Sequence, residues 1–176
     1  IRDRVIRFAF ELARKRGGQR KVTLTSKYNM LHQSDGLFRE IGRSIADEYS
    51  DIEFETFIVD DFLCRMITQP DALDVVVTPN LYGDILSDGA AGLIGGLGLA
   101  PSGCFGADYA YFESAHGTAP DIQGMNVINP TATLLSAGMM LEYLGLEDAA
   151  RALKNAVSAT FKAVSYTHLR AHETRR

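Results

Sequence analysis

Two acids on one helical face are the first residues in this chain that could do chemistry. Asp84 and Asp88 stand four apart in NLYGDILSDGAAG, a spacing that puts both carboxylates on one side of a helix. The segment follows an apolar run, Val75-Val76-Val77, which reads as a buried strand ended by Thr78, Pro79 and Asn80. Paired carboxylates close to the end of a buried strand suit a hard divalent cation that takes oxygen ligands. The small residues that follow (Gly89, Ala90, Ala91, Gly92, then Gly95, Gly96 and Gly98) would let another backbone come close.

Three other places carry reactive or ligand-like side chains. Lys27, in SKYNM, lies just past a strand read over Lys21–Thr25. In parallel α/β sheets, ligands sit beyond the carboxyl ends of the strands, so Lys27 is a candidate for chemistry. On position alone it reads first as a solvated surface lysine. Asp60 opens a short helix, and reads equally as an acid held by the helix dipole and as a ligand. The segment Phe112–Gly124, FESAHGTAPDIQG, has little periodicity. It exposes backbone N–H groups and one acid, Asp121, which suits a nucleotide ribose and phosphate. A GxGxxG fingerprint is absent. His116 alone reads equally as a hydrogen-bonded structural histidine and as a ligand. Cys64 and Cys104 form no CxxC pair and read as packed, reduced thiols.

The elements that must position these residues alternate between helix and strand. A helix over 3–16 has Val5, Phe8, Ala9, Leu12 and Ala13 on one face, and Gly17-Gly18 ends it. A second helix over Gly36–Tyr49 repeats Leu37, Ile41, Ile45 and Tyr49. Glu53–Val59 reads as a strand, followed by a helix from Asp60 to Thr68 ended by Gln69-Pro70. The helix with the paired acids is closed by Pro101-Ser102-Gly103, and Cys104–Tyr111 reads as a loop or short strand. Asn129-Pro130 starts a helix covered by Leu134, Leu135, Met139 and Leu141, with methionines as core filler, and Gly145 ends it. Glu147–Val164 is the last amphipathic helix. The alternation predicts an α/β protein with mainly parallel connections and an antiparallel excursion.

Composition narrows the function classes. The chain has 176 residues, enough for one domain with a real core, and is 46% hydrophobic and 23% charged, as in soluble globular proteins. A net charge of −4 without a basic stripe argues against a nucleic-acid partner. No apolar stretch is long enough to span a bilayer, and the N-terminus is not a signal peptide. These features read as cytoplasmic. The chain begins with Ile1 inside a helix, which reads as a processed chain or a fragment, the fragment being favoured. Residues 165–176, SYTHLRAHETRR, have no apolar period and read as a non-native tail, with a disordered native tail as the alternative. Its His168 and His172 imitate a metal pair, a reading we reject.

Taken together and in order, SKYNM, the VDD segment at Asp60, TPNLYGDILSDGAAGLIGGLGLAPS, ESAHGTAPDIQG and NPTATLLSAGMMLEYLG resemble the β-decarboxylating dehydrogenases. This family includes isocitrate, homoisocitrate, 3-isopropylmalate and tartrate/D-malate dehydrogenases. The resemblance covers roughly residues 3 to 164, and NLYGDILSD with HGTAPDI is specific in combination. It implies an isopropylmalate/isocitrate dehydrogenase-like fold, a parallel-rich sheet with flanking helices, spanning 1–164 and incomplete at the N-terminal side. It also implies oxidative decarboxylation of a 2-hydroxy acid with NAD and Mg²⁺ or Mn²⁺, in a homodimer with a shared active site.

Residue by residue, Asp84 and Asp88 resemble the metal acids of one subunit, and Asp60 the third acid, from the other subunit. Lys27 resembles the catalytic lysine, also contributed across the dimer, and Asn29 the asparagine near substrate and nicotinamide. A lysine beside a divalent cation loses its proton more readily and can relay the substrate's hydroxyl proton. Asp121 resembles the acid that meets the adenosine ribose, with Ile122 beside it where NADP-preferring members have a lysine-tyrosine pair; this implies NAD. Glu113, His116, Gly117, Thr118, Ala119 and Asn129 are implied as further cofactor contacts. The family's substrate-gripping arginines and catalytic tyrosine have no counterpart here, and Tyr28 and Tyr82 are not promoted to that role. This chain alone is therefore expected to be inactive. SDGLF and ESAHGTAPDI look nearer to isocitrate or homoisocitrate than to isopropylmalate enzymes. A non-catalytic regulatory subunit is the alternative, and retention of Lys27, Asp60, Asp84 and Asp88 argues against it.

Overall fold

The computed structural model describes residues 2–163. They fall into two compact units, one running through Ala90 and one starting at Ala91. The tail at 165–176, with its two histidines, lies outside the described residues.

The first unit is built on a three-stranded parallel sheet. Its strands are β1 (Lys21–Ser26), β2 (Glu53–Ile58) and β3 (Val75–Val77), in the order β2-β1-β3. Central β1 is buried from Val22 to Ser26. The side chains of Val22 and Leu24 join Val75 and Val77 under α1 (Arg2–Arg16) and α2 (Leu37–Ala46), and Phe10, Phe38 and Ile45 complete this core. Gly42 of α2 is required there: a Cβ would sit 2.5 Å from the Leu24 side chain. Thr23 faces the other way and donates to Glu55 Oε1 at 2.7 Å. A smaller core joins Phe62 and Met66 of α3 (Val59–Thr68) to Leu86 of α4 (Asn80–Leu93).

Several sequence expectations shift here. The buried face of α1 is Ile6, Ala9, Phe10 and Ala13, whereas Val5 and Phe8 are about two-fifths exposed. That i, i+3, i+4, i+7 set carries the larger ring, Phe10, to the sheet, and Phe10 stacks on Tyr49 at 4.8 Å. The second helix is preceded by a π-helical turn, His32–Gly36, and ends at Ala46, leaving Tyr49 beyond it. In β3, Val76 is exposed because this strand lies at the sheet's edge among the described residues. Of the small residues in and after α4, Gly89 takes Met66 Cε at 3.5 Å from its would-be Cβ, but Gly92 and Gly98 face open space.

The second unit pairs β4 (Pro101–Phe105) with β5 (Ala110–Ser114) as an antiparallel hairpin against α5 (Thr131–Tyr143), which packs on α6 (Glu147–Lys162). Pro101-Ser102-Gly103 is thus a strand and not a helix stop; α4 ends at Leu93, and Gly95 and Gly96 (φ 112° and 118°) turn the chain. Of the two readings of 104–111, loop or short strand, the structure takes the strand, and Phe105 and Phe112 meet edge-on at 5.5 Å. The buried positions of α5 are Thr131, Ala132, Ser136 and Gly138, while Met140 is exposed and Met139 only half-buried. Both cysteines are free and exposed, not packed. The antiparallel excursion is this hairpin.

Candidate active site

Strand register assembles the first cluster. Ser26 of β1 pairs with Ile58 of β2, so both parallel strands end on one edge of the sheet. Lys27 is the next residue after β1, and Asp60 is the second after β2. Their side chains meet as an ion pair, Lys27 Nζ to Asp60 Oδ1. The lysine's hydrogen bond is the main cause that holds the Asp60 carboxyl below its ordinary range. Asp60 lies in the first turn of α3, where its own backbone N–H is the second cause that lowers it. A solvated, unpaired Lys27 is not what the structure contains.

Lys27 is also held by its backbone. Asp35 Oδ2 accepts the Lys27 N–H at 2.8 Å, and Asp35 Oδ1 accepts from Ser34 Oγ at 3.2 Å. Asp35 is only 6% exposed. The phenol of Tyr82, in the first turn of α4, faces the same carboxylate, and burial first, then Asp35, raises it above the usual tyrosine range. Tyr28 stacks under the Arg39 guanidinium, 4.2 Å from the ring centre. Each of the two tyrosines set aside from catalysis therefore has a structural neighbour. Sequence reasoning missed Asp35; an acid just before the helix read from Gly36 gave no signal that it would turn inward. Asn29 is exposed in the turn after Lys27, where Met30 and Leu31 donate to the Lys27 carbonyl at 3.0 and 2.9 Å.

Asp84 and Asp88 are both exposed on α4, one turn apart. Among the described residues, no group of three or more acidic, histidine or cysteine side chains gathers to hold a metal. The donor set still fits a hard cation in halves: two carboxylates on α4, and a third that a lysine already neutralises.

The second unit carries the nucleotide-like loop. Glu113 is exposed on β5, and its carbonyl accepts from buried Ser136 Oγ at 2.6 Å. That hydroxyl also accepts the Ser102 N–H at 3.1 Å, which ties both hairpin strands to α5. His116 Nδ1 approaches the Gly117 carbonyl at 2.9 Å, so this ring nitrogen is used locally. Gly117 has open space around it, and Thr118 is exposed. Ala119 is left-handed (φ 43°) and leads into a 3₁₀ turn, Pro120–Ile122. Asp121 in that turn is exposed, and Ile122 is half-buried. Asn129 Oδ1 accepts from Thr131 N at 3.1 Å and Thr131 Oγ1 at 2.7 Å. These bonds hold the start of α5.

A parallel edge carrying a lysine–aspartate pair, with an acid-bearing helix after the next strand, defines an α/β enzyme-like class. The chain belongs to the isocitrate/isopropylmalate dehydrogenase family, whose pattern matches residues 2–173. It is 52% identical over 158 residues to a 3-isopropylmalate/3-methylmalate dehydrogenase of Methanocaldococcus jannaschii, covering 88% of this chain and 47% of that protein. It is 51% identical over 160 residues to the human mitochondrial NAD isocitrate dehydrogenase subunit alpha, covering 90% and 43%. The crystal structure of isocitrate dehydrogenase from Methylococcus capsulatus superposes with a TM-score of 0.84 at 53% identity, covering 89% of this chain and 46% of that one. The chain thus spans less than half the length of these relatives, and its fold is a partial one. No helix among the described residues is long and apolar enough to cross a membrane.

Proposed function

We propose that the protein to which this chain belongs oxidatively decarboxylates a 2-hydroxy acid with NAD and Mg²⁺ or Mn²⁺, as a homodimer with shared sites. The observation that carries this reading is the split donor set: Lys27 and Asp60 are paired on one strand edge, while Asp84 and Asp88 stand on α4 with no third acid gathered to them among the described residues. Asp60 and Lys27 of one copy would complete the site begun by Asp84 and Asp88 of another. The exposed apolar residues Leu81 and Ile85 run beside the two acids on α4, and Leu63 and Ile67 are exposed on α3. Covering that face with a second copy would bring the partner's side chains to the acids.

When bound, the metal would polarise the substrate's hydroxyl and carboxylate oxygens, and NAD would take the hydride. The chain's own parts are these. Asp84, Asp88 and Asp60 supply the oxygens. Lys27 Nζ takes the hydroxyl proton as C2 becomes a carbonyl, and a proton returns to the carbon that loses CO₂. The products are a 2-oxo acid, CO₂ and NADH. Asp121, exposed in its 3₁₀ turn, would accept hydrogen bonds from the adenosine ribose hydroxyls and repel a 2′-phosphate. Glu113, His116, Gly117, Thr118, Ala119, Ile122 and Asn129 surround that position in the reading, and Asn29 lies near the nicotinamide. NAD preference is also supported by the human relative, whose name specifies NAD.

The test is an absorbance assay of the full-length protein with isocitrate or 3-isopropylmalate, each with NAD and with NADP. NAD-linked, metal-dependent turnover is expected. The pair Asp121→Lys and Ile122→Tyr should shift the ratio of kcat/KM values toward NADP by tenfold or more, on the order of 1.4 kcal/mol of discrimination. An unchanged ratio would refute the role of Asp121, and no turnover with either acid would refute the reading as a whole.

A further inference from the structure

The Lys27 ammonium is gripped by Asp60, yet an exposed ion pair alone is a weak way to fix a reactive nitrogen. Its other end is fixed more firmly. The nine-residue segment from Lys27 to Asp35 closes on itself: Leu31 N donates to the Lys27 carbonyl, Asp35 N and Gly36 N both donate to the Leu31 carbonyl, and the Asp35 carboxylate returns to the Lys27 N–H. Two N–H groups converging on Leu31 O mark the π-helical turn His32–Gly36. Such turns insert one extra residue and rotate the side chains that follow, and they recur at functional sites. Here the turn carries a carboxylate inward to 6% exposure, where it would be costly without donors. Its donors are the Lys27 amide and Ser34 Oγ, and the Tyr82 phenol of α4 faces the same carboxylate.

We propose that Asp35 is a positioning residue: from the π turn it fixes the backbone of Lys27, so that the ammonium is presented at the sheet edge beside Asp60. Naming Lys27 as the group that needs positioning rests on the proposed function; the mechanical link between Asp35 and Lys27 does not. A carboxylate accepting a backbone N–H makes a charge-assisted bond, stronger than one to a neutral acceptor. An asparagine keeps an acceptor oxygen in the same place, whereas an alanine leaves the Lys27 N–H without one.

The experiment is NMR on the 176-residue chain, comparing the parent with Asp35→Ala and Asp35→Asn. Amide hydrogen exchange is read at Lys27, Val22 and Leu24, with the cross-peak between Lys27 Hε and Asp60 Hβ. In Asp35→Ala, Lys27 exchange should accelerate by about tenfold or more and the cross-peak should weaken, while Val22 and Leu24 keep their protection. Asp35→Asn should restore most of both. Unchanged Lys27 exchange and an unchanged cross-peak in a folded Asp35→Ala chain would overturn the proposal. Uniform loss of protection along β1 in both variants would overturn it too, since Asp35 would then be a core residue and nothing more. Because no readout needs turnover, an inactive full-length enzyme with these shifts would refute the function and leave the link standing. An active enzyme without them would do the reverse.

Discussion

The two units bury different things. In the first, large apolar side chains from α1, α2 and three strands form a continuous core, and Ile6, Phe10, Val22 and Leu24 are fully buried. In the second, the buried positions are small or polar (Ala91, Thr131, Ala132, Ser136, Gly138, Ala150), while Leu144, Leu146 and Tyr111 are about half exposed. The chemistry differs accordingly. Lys27 and Asp60 are 33 residues apart and meet because two strands are in register. The loop of the second unit is shaped by local devices: a left-handed Ala119, a 3₁₀ turn and an Asn129 cap. Long-range register therefore sets the Lys27–Asp60 pair, and short-range turns set the loop from Ala119 to Asn129.

The contrast in cores can be broken most directly at Phe10. This ring is fully buried, 4.8 Å from Tyr49 and 5.7 Å from Phe54. Phe10→Ala should cost about 3–5 kcal/mol, because it removes both transferred area and packing partners. Leu146→Ala, at a position 51% exposed in the second unit, should stay within about 0.5 kcal/mol. Urea unfolding followed by circular dichroism measures both, and similar losses would remove the distinction. The next largest effect belongs to Ser136. Its replacement by Ala leaves the Ser102 N–H and the Glu113 carbonyl without this partner. A cost of about 1–3 kcal/mol is expected, with faster amide exchange at Ser102 and none at Leu24. Equal acceleration in both units would show that the hairpin is not held by this clamp.

Much of this architecture was legible in the sequence, for reasons that differ by element. Strands β1 and β2 announced themselves by composition, and β3 by its valine run, while Gly145 marked a real stop, with φ 76° just past α5. The paired acids on α4 needed only helical spacing. Three things were not legible. The phase of α1 was misread because Val5 and Phe8 are as apolar as Ile6 and Phe10, and only tertiary contact chooses between the stripes. The β4–β5 hairpin was legible only as a loop or short strand over Cys104–Tyr111, because Pro101-Ser102-Gly103 read as a helix stop; Gly103 is instead needed where a Cβ would lie 2.9 Å from the Phe112 ring. Asp35 was invisible because a π turn has no sequence period of its own. Lys27 and Asp60 looked locally like a surface lysine and a first-turn acid, and only the Ser26–Ile58 register makes them neighbours.

The smallest effect tests the same contrast at the surface. In the first unit, ion pairs join distant segments: Arg7 holds Glu48 through two bonds of 2.7 Å, and Arg14 holds Asp51 at 2.6 and 3.1 Å. In the second, Arg151 pairs with Asp148 three residues away on its own helix, and Lys154 reaches Glu142 on the helix just before it in the chain. The Arg7 hydrogen bond is the main cause that lowers Glu48, and the Arg14 hydrogen bond does the same for Asp51. A carboxyl held below its unfolded value binds protons less readily when folded. Its contribution to stability is therefore complete above the ordinary carboxylate range and is lost as pH falls through the depressed value. Replacing Arg7 by Gln should return Glu48 to its ordinary titration and remove that part of the acid slope. Both groups are solvent-accessible, so about 1 M salt, with a Debye length of about 3 Å, should erase most of the difference between parent and variant. Carboxyl-detected NMR titration of Glu48 reads the shift and urea melts at several pH values read the slope. A Glu48 titration that is the same with and without Arg7 would mean that the link between α1 and the turn after α2 is packing at Phe10 and Tyr49, with the ion pair only lying over it.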